Sequence, residues 1–261
     1  MVGNWNFYVK KTNTRIIFQD NSEEKWWVKR LCVYLCYYEL QNQTLLAHLR
    51  NLMFHLGDGR FEYNVSLENV KNNLVPPMTA YPDGSIMIRV PVWRIYQSLY
   101  GMSKVRTMMR DALTHELVHS LHFSINPSLS KTARAMNKLR LAYLQSGKEF
   151  AVPMLPHIHM EGFLSAFVYQ VTLEGFSELF PKLIHYNLEF TEDTFKKNYA
   201  IALQNIEVGK KFFAQVKTIK DRNDPRLNNL MMNFLNIRYQ KLYYSTGYHI
   251  VYTILYLQNE D

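Results

Sequence analysis

The sequence predicts a predominantly helical α+β fold, in which a small N-terminal sheet layer leads into a larger C-terminal helical lobe. Three observations carry this reading. Short β-prone runs are confined to the first ninety residues, at Phe7 to Lys10, Arg15 to Phe18 and Ser85 to Val90. From Ser103 onward apolar residues recur with the 3.6-residue period of packed helices. A chain of 261 residues with 48% hydrophobic and 20% charged residues has the size and balance to bury a core.

Along the chain, the first two runs flank Lys11-Thr-Asn-Thr14 and read as a hairpin. Asp20, with Glu23 three residues later, resembles a capping box opening a helix through Trp26, Trp27, Leu31, Tyr34 and Leu35. A second helix is expected from Gln43 to His55, ended by Gly57-Asp-Gly59. The turn Tyr81-Pro-Asp-Gly84 feeds a strand from Ser85 to Val90, where Ile86, Ile88 and Val90 alternate with Met87 and Arg89. Pro91 stops that strand and points to an edge or strand-end position. Helices follow at Lys104 to Phe123, Thr132 to Ser146, Glu161 to Phe180, Thr191 to Ile219 and Arg226 to about Leu257. The Pro- and Met-containing stretch Gly147 to Pro156 reads as a surface connection. Residues 1–125 are expected to form an α+β sub-domain and 126–261 a helical one, together making one catalytic unit.

Composition narrows the function classes. No stretch of 18 or more apolar residues is present to cross a bilayer, so membrane insertion is not expected. The start Met1-Val-Gly-Asn-Trp-Asn-Phe lacks the basic end and apolar run of a secretory signal, and a cytoplasmic address is expected by default. Cys32 and Cys36 lie one helical turn apart and suit core packing. A net charge of +8 favours acidic partners, nucleic acid among them. The basic residues are scattered among acids, however, and read mainly as solvated surface.

The residues that carry chemistry are Thr114-His-Glu-Leu-Val-His-Ser120, an HExxH motif inside a helical segment. Histidines four apart project from one helix face, so both imidazoles can reach one zinc ion. Glu116 then faces a water rather than the metal and can act as general base for amide hydrolysis. The string arises by chance in a chain like this roughly one or two times in a hundred. Ala112, Leu113, Thr114, Leu117, Val118, Ser120 and Leu121 are all uncharged, as a helix packed into a core requires. The metzincin continuation needs Gly at 122 and His at 125, where this chain has His122 and Ile125.

Zinc in a catalytic site needs a third protein ligand. The leading candidate is Glu174 in Leu173-Glu-Gly-Phe-Ser-Glu-Leu179, with Glu178 one turn later placed to support a zinc histidine through a hydrogen bond. Glu161 competes, but thirteen helical residues turn it by about 220° from Glu174, so one of the two can face a metal. His157, His159 and His185 are further alternatives.

With these motifs the chain resembles the gluzincins, the thermolysin-like and aminopeptidase N-like zinc metallopeptidases, in which HExxH is followed by a glutamate on a later helix. The resemblance covers Ser85 to about Phe180 and rests on the two motifs. It implies a zincin-like core, Zn2+ as cofactor and a peptide or protein substrate. It also implies that an edge strand lines the cleft, here Ser85, Ile86, Met87 and Ile88. Tyr244-Ser-Thr-Gly247 looks like the Tyr-x-x-Gly found downstream in several gluzincins, where a tyrosine hydroxyl steadies the tetrahedral intermediate. His249 is an alternative for that part. Two other functional readings stay open: a selective intracellular regulatory protease, and a non-catalytic metal- or nucleic-acid-binding protein.

Overall fold

The computed structural model describes residues 4–9, 14–40, 61–69, 77–81, 83, 85–125, 131, 160–219, 226 and 237–258. The chain divides into two compact units, Met1–Ser130 and Lys131–Asp261. It is predominantly helical with a small mixed sheet, an α+β protein.

In the first unit, β1 (Asn4–Val9) and β2 (Thr14–Asn21) form the expected antiparallel hairpin. β2 runs three residues beyond Phe18 because it pairs in parallel with β3 (Phe61–Glu68) along its whole length, Thr14 opposite Phe61 and Asn21 opposite Glu68. The ladder therefore claims Asp20, and the capping box does not form. Asp20 instead accepts the Ser22 amide at 3.1 Å and pairs with Lys29 at 2.9 Å. Ser22 Oγ accepts the Glu24 amide at 3.1 Å, and α1 starts only at Trp26, running to Leu40. Cys32 and Cys36 are buried on its inner side. The helix expected at Gln43 to His55 lies outside the described residues.

β3 has no counterpart in the reading from sequence, although Phe61, Tyr63, Val65 and Leu67 alternate with Glu62, Asn64, Ser66 and Glu68 at the period of a half-buried strand. The three-residue β4 (Met78–Ala80) and β5 (Ile86–Arg89) complete the sheet in the order β1-β2-β3-β5-β4. Here the edge assignment needs correction. β5 is interior, parallel to β3 on one side and antiparallel to β4 on the other, and all four of its residues are buried. Ile86, Met87 and Ile88 are thus sheet core, and Ser85 belongs to the β4–β5 turn, where Asp83 Oδ1 accepts its amide at 2.9 Å and its hydroxyl at 2.6 Å. Among the described residues β4 is the outermost strand on this side.

Pro91 misleads because it stands beyond the strand, in the first turn of α2 (Val90–Ile125), where a missing N–H costs no hydrogen bond. α2 starts fourteen residues before the expected helix. It is interrupted at Gly101, whose φ of 74° is left-handed and open to glycine but costly for a side chain. The helix packs against β4 and β5, and beyond the break Met109, Leu113 and Leu117 are buried.

The second unit holds three described helices: α3 (Met160–His185), α4 (Glu192–Lys217) and α5 (Ile237–Gln258). α3 passes through Pro181, where one ladder hydrogen bond is lost, and continues to His185. Asn187, at φ 48°, then turns the chain, and the Leu188 amide returns to the Lys182 carbonyl at 3.2 Å. Thr191 caps α4, its Oγ accepting the Thr194 amide at 3.2 Å, with Glu192 and Asp193 favourably placed at the positive end of the helix dipole. α5 lies against both α3 and α4. Leu179, Val251, Tyr252 and Tyr256 form the core of this unit, and Phe195 stacks on Tyr256 with centroids 4.4 Å apart. The Thr132 to Ser146 helix, the Gly147 to Pro156 loop and, apart from Arg226, the first eleven residues of the last expected helix fall outside the described residues. Among the described residues no helix is long and apolar enough to cross a membrane.

Candidate metal centre

The HExxH motif lies in the second part of α2. Its uncharged residues are the packed side: Leu113, Thr114, Leu117 and Val118 are all at most 1% exposed. One turn of helix sets His115 and His119 side by side, His119 buried and His115 half-buried. Their Nε2 atoms are 2.8 Å apart and their rings stand at 86° to each other. His122 is one turn further; burial, and then the neighbouring His119, push its imidazole down to about 4.

Glu116 is half-buried, and its Oε2 accepts the Ala80 amide at 2.5 Å. That amide points away from the sheet. Residues 77 and 81 bond inward to β5, Arg89 N–H to the Pro77 carbonyl at 3.0 Å and Tyr81 N–H to the Ser85 carbonyl at 2.7 Å, so by strand alternation residue 80 presents its N–H at the edge. The edge strand that approaches the motif is β4, a contribution that sequence reading missed. Three residues behind a masking Pro-Pro pair give too short a signal to find.

In the second unit, Glu174 sits on α3 at 9% exposure, with Glu178 half-buried one turn later. Ser177 between them is buried and donates its hydroxyl to the Leu173 carbonyl at 3.0 Å. Gly175, the middle of the Glu-Gly-Phe-Ser-Glu string, has a packing role: it meets Gly247 of α5 backbone to backbone. A Cβ added at Gly247 would stand 2.7 Å from Gly175 Cα and 2.8 Å from its nitrogen, and closer still to the Val171 carbonyl. The Gly of Tyr244-Ser-Thr-Gly247 is therefore a helix-crossing point, and Tyr244 is half-buried one turn before Tyr248.

Tyr248 lies under the Lys182 ammonium, 3.9 Å from ring centre to Nζ, and burial raises its phenol. His249 bonds through Nδ1 to Asn198 of α4, and burial, and then Lys182, hold its imidazole down at about 4. That placement commits His249 to helix packing.

His115 and His119 offer two imidazole nitrogens in the first unit, and Glu174 offers a buried carboxylate on α3 of the second. His157 and His159 and the side chain of Glu161 lie outside the described residues, and His185 is half-buried at the end of α3. Two imidazole nitrogens and one carboxylate oxygen are a ligand set suited to zinc. Tetrahedral zinc, with Zn–N of 2.0–2.1 Å, separates its nitrogens by about 3.3 Å. The histidine nitrogens need to part by about 0.5 Å to accept it, a small rotation about the side-chain bonds. No family model, no curated protein and no solved structure matches the chain.

Proposed function

We propose that the chain is a zinc-dependent metallopeptidase of gluzincin type, with His115, His119 and Glu174 as metal ligands and Glu116 as general base. The observation that carries this is the pairing of His115 and His119 on one helix face, their Nε2 atoms 2.8 Å apart, next to a carboxylate held at a sheet edge. Zinc, when bound, supplies a Lewis acid that polarises the scissile carbonyl and acidifies water.

The chain's own residues do the rest. Glu116, oriented by the Ala80 amide, takes a proton from the attacking water and delivers it to the amide nitrogen as the C–N bond breaks. With the Ala80 N–H held by Glu116, the outward Met78 N–H and Ala80 carbonyl of β4 offer an extended peptide main-chain hydrogen bonds that are indifferent to its sequence. Tyr244 supplies a phenol donor to the developing oxyanion, and Glu178 supports a histidine ligand. A selective regulatory protease would use the same residues and differ in its substrate.

Metal analysis of the wild type beside Glu174→Ala, Glu161→Ala and Glu116→Gln, with casein hydrolysis on the same preparations, tests this. One zinc per chain, lost in Glu174→Ala and kept in an inactive Glu116→Gln, is the expected result. Full zinc in Glu174→Ala moves the third ligand elsewhere, and no metal in any preparation brings the non-catalytic binding protein forward.

A further inference from the structure

We propose that the exposed face formed by α1 and the first part of α2 docks on an anionic lipid surface. α1 turns Trp26, Arg30, Tyr34 and Tyr38 outward at successive four-residue steps, a stripe about 18 Å long. Trp26 is 67% and Tyr34 62% exposed. Across a shallow groove α2 adds Met102, 44% exposed, and it also exposes Leu99 at 66% and Ile95 at 51%. Isolated exposed apolar residues are ordinary, whereas so many on two adjacent helices mark an interaction surface.

The charge around this face names the partner. α1 with Lys25 before it, and residues 90–110, hold seven Lys or Arg against one acid, Glu39, with Glu24 and Asp111 at their borders. Lys29, Arg94 and Arg110 are engaged by Asp20, Glu24 and Asp111. Lys25, Arg30, Lys104 and Arg106 are exposed around the apolar stripe. Tryptophan and tyrosine at the rim, aliphatic residues beside them and exposed cations are the composition that binds an anionic membrane interface without crossing it.

The ring faces argue against single-stranded nucleic acid. Base stacking needs open aromatic faces. Here the Arg30 guanidinium covers Trp26 at 5.5 Å, Arg106 covers Tyr38 at 4.5 Å, and Tyr34 stacks on Tyr38 with centroids 6.3 Å apart. Such pairs carry the guanidiniums to headgroup depth while the rings enter the acyl boundary. None of these residues belongs to the proposed metal site, so adsorption and hydrolysis can fail separately.

Sedimentation of the full chain with phosphatidylcholine vesicles, with or without 30 mol% phosphatidylserine as the probe, tests the proposal. Binding is expected to the serine-lipid vesicles, weak to pure phosphatidylcholine, and largely lost in high salt. Arg30→Ala with Arg106→Ala should reduce partitioning about 25-fold, about five-fold for each cation. Trp26→Ala with Leu99→Ser should reduce it further than the charge change alone. In the unmodified protein, brominated acyl chains should quench tryptophan emission, a readout that needs no variant. Absence of vesicle binding, equal binding by the variants, or retention of a fluorescent oligothymidylate in place of vesicles would each overturn it.

Discussion

Replacing Gly247 with alanine adds one methyl group at the crossing of α3 and α5, and the geometry sets the outcome. The new carbon would stand 2.7 Å from Gly175 Cα, against an ordinary carbon contact of about 3.5–4.0 Å. Both neighbours, Gly175 and the Val171 carbonyl, are backbone, so no rotamer change can make room and the helices must separate by about 1 Å. Overpacking of this kind costs about 1–3 kcal/mol, and a backbone obstacle places it at the upper end. Alanine returns about 1 kcal/mol of helix propensity, leaving a net loss of about 2 kcal/mol. For a unit of this size that lowers Tm by about 5–10 °C. Thermal unfolding followed by circular dichroism, supported by urea titration, measures it. An unchanged or raised Tm, the usual result of Gly→Ala on an open helix face, would refute the close crossing.

Other expectations concern single residues. Glu116→Gln should keep the zinc bound and lower peptide hydrolysis by about 10²–10⁴-fold, the range for loss of a general base, as read by stopped assays on metal-loaded protein. Lys29→Ala takes the cation from the buried Asp20 carboxylate while leaving the Ser22 amide bond, and should cost about 1–3 kcal/mol in urea unfolding; a change within about 0.5 kcal/mol would show the pair to be dispensable. Between pH 6.5 and about 4 the unfolded chain binds a proton at His249 that the folded chain refuses, so stability should fall as the pH drops through that window. Discounted for partial exposure, the loss is about 1–2 kcal/mol. His249→Gln should remove that part of the urea-midpoint profile, and an identical profile in the variant would exclude His249 as its source.

The HExxH motif is legible because its geometry is local: two histidines one turn apart need nothing from the rest of the chain to share a face. Glu174 is legible from an acid-Gly-x-x-acid pattern in a helix. The sheet is harder to read. β3 carries a clear two-residue alternation that its polar half disguises, β4 is too short to show any period, and the interior place of β5 depends on partners far away in the chain. Asp20 and Glu23 satisfy a capping rule that loses to a longer strand ladder. Gly175 and Gly247 look like flaws in helical segments until they are seen to face each other.

The break at Gly101 separates the angular phase of the motif from everything before it. In a continuous helix each added residue would swing His115 and His119 by 100° about the axis. A left-handed residue at the junction can absorb such a slip, so a one-residue insertion between Trp93 and Tyr100 leaves the histidines aimed at the same point. The same insertion between Met102 and Thr114 has no such joint to take it up, and it turns both imidazoles off the group. Length variation in this helix is therefore permitted on one side of a single glycine and prohibited on the other.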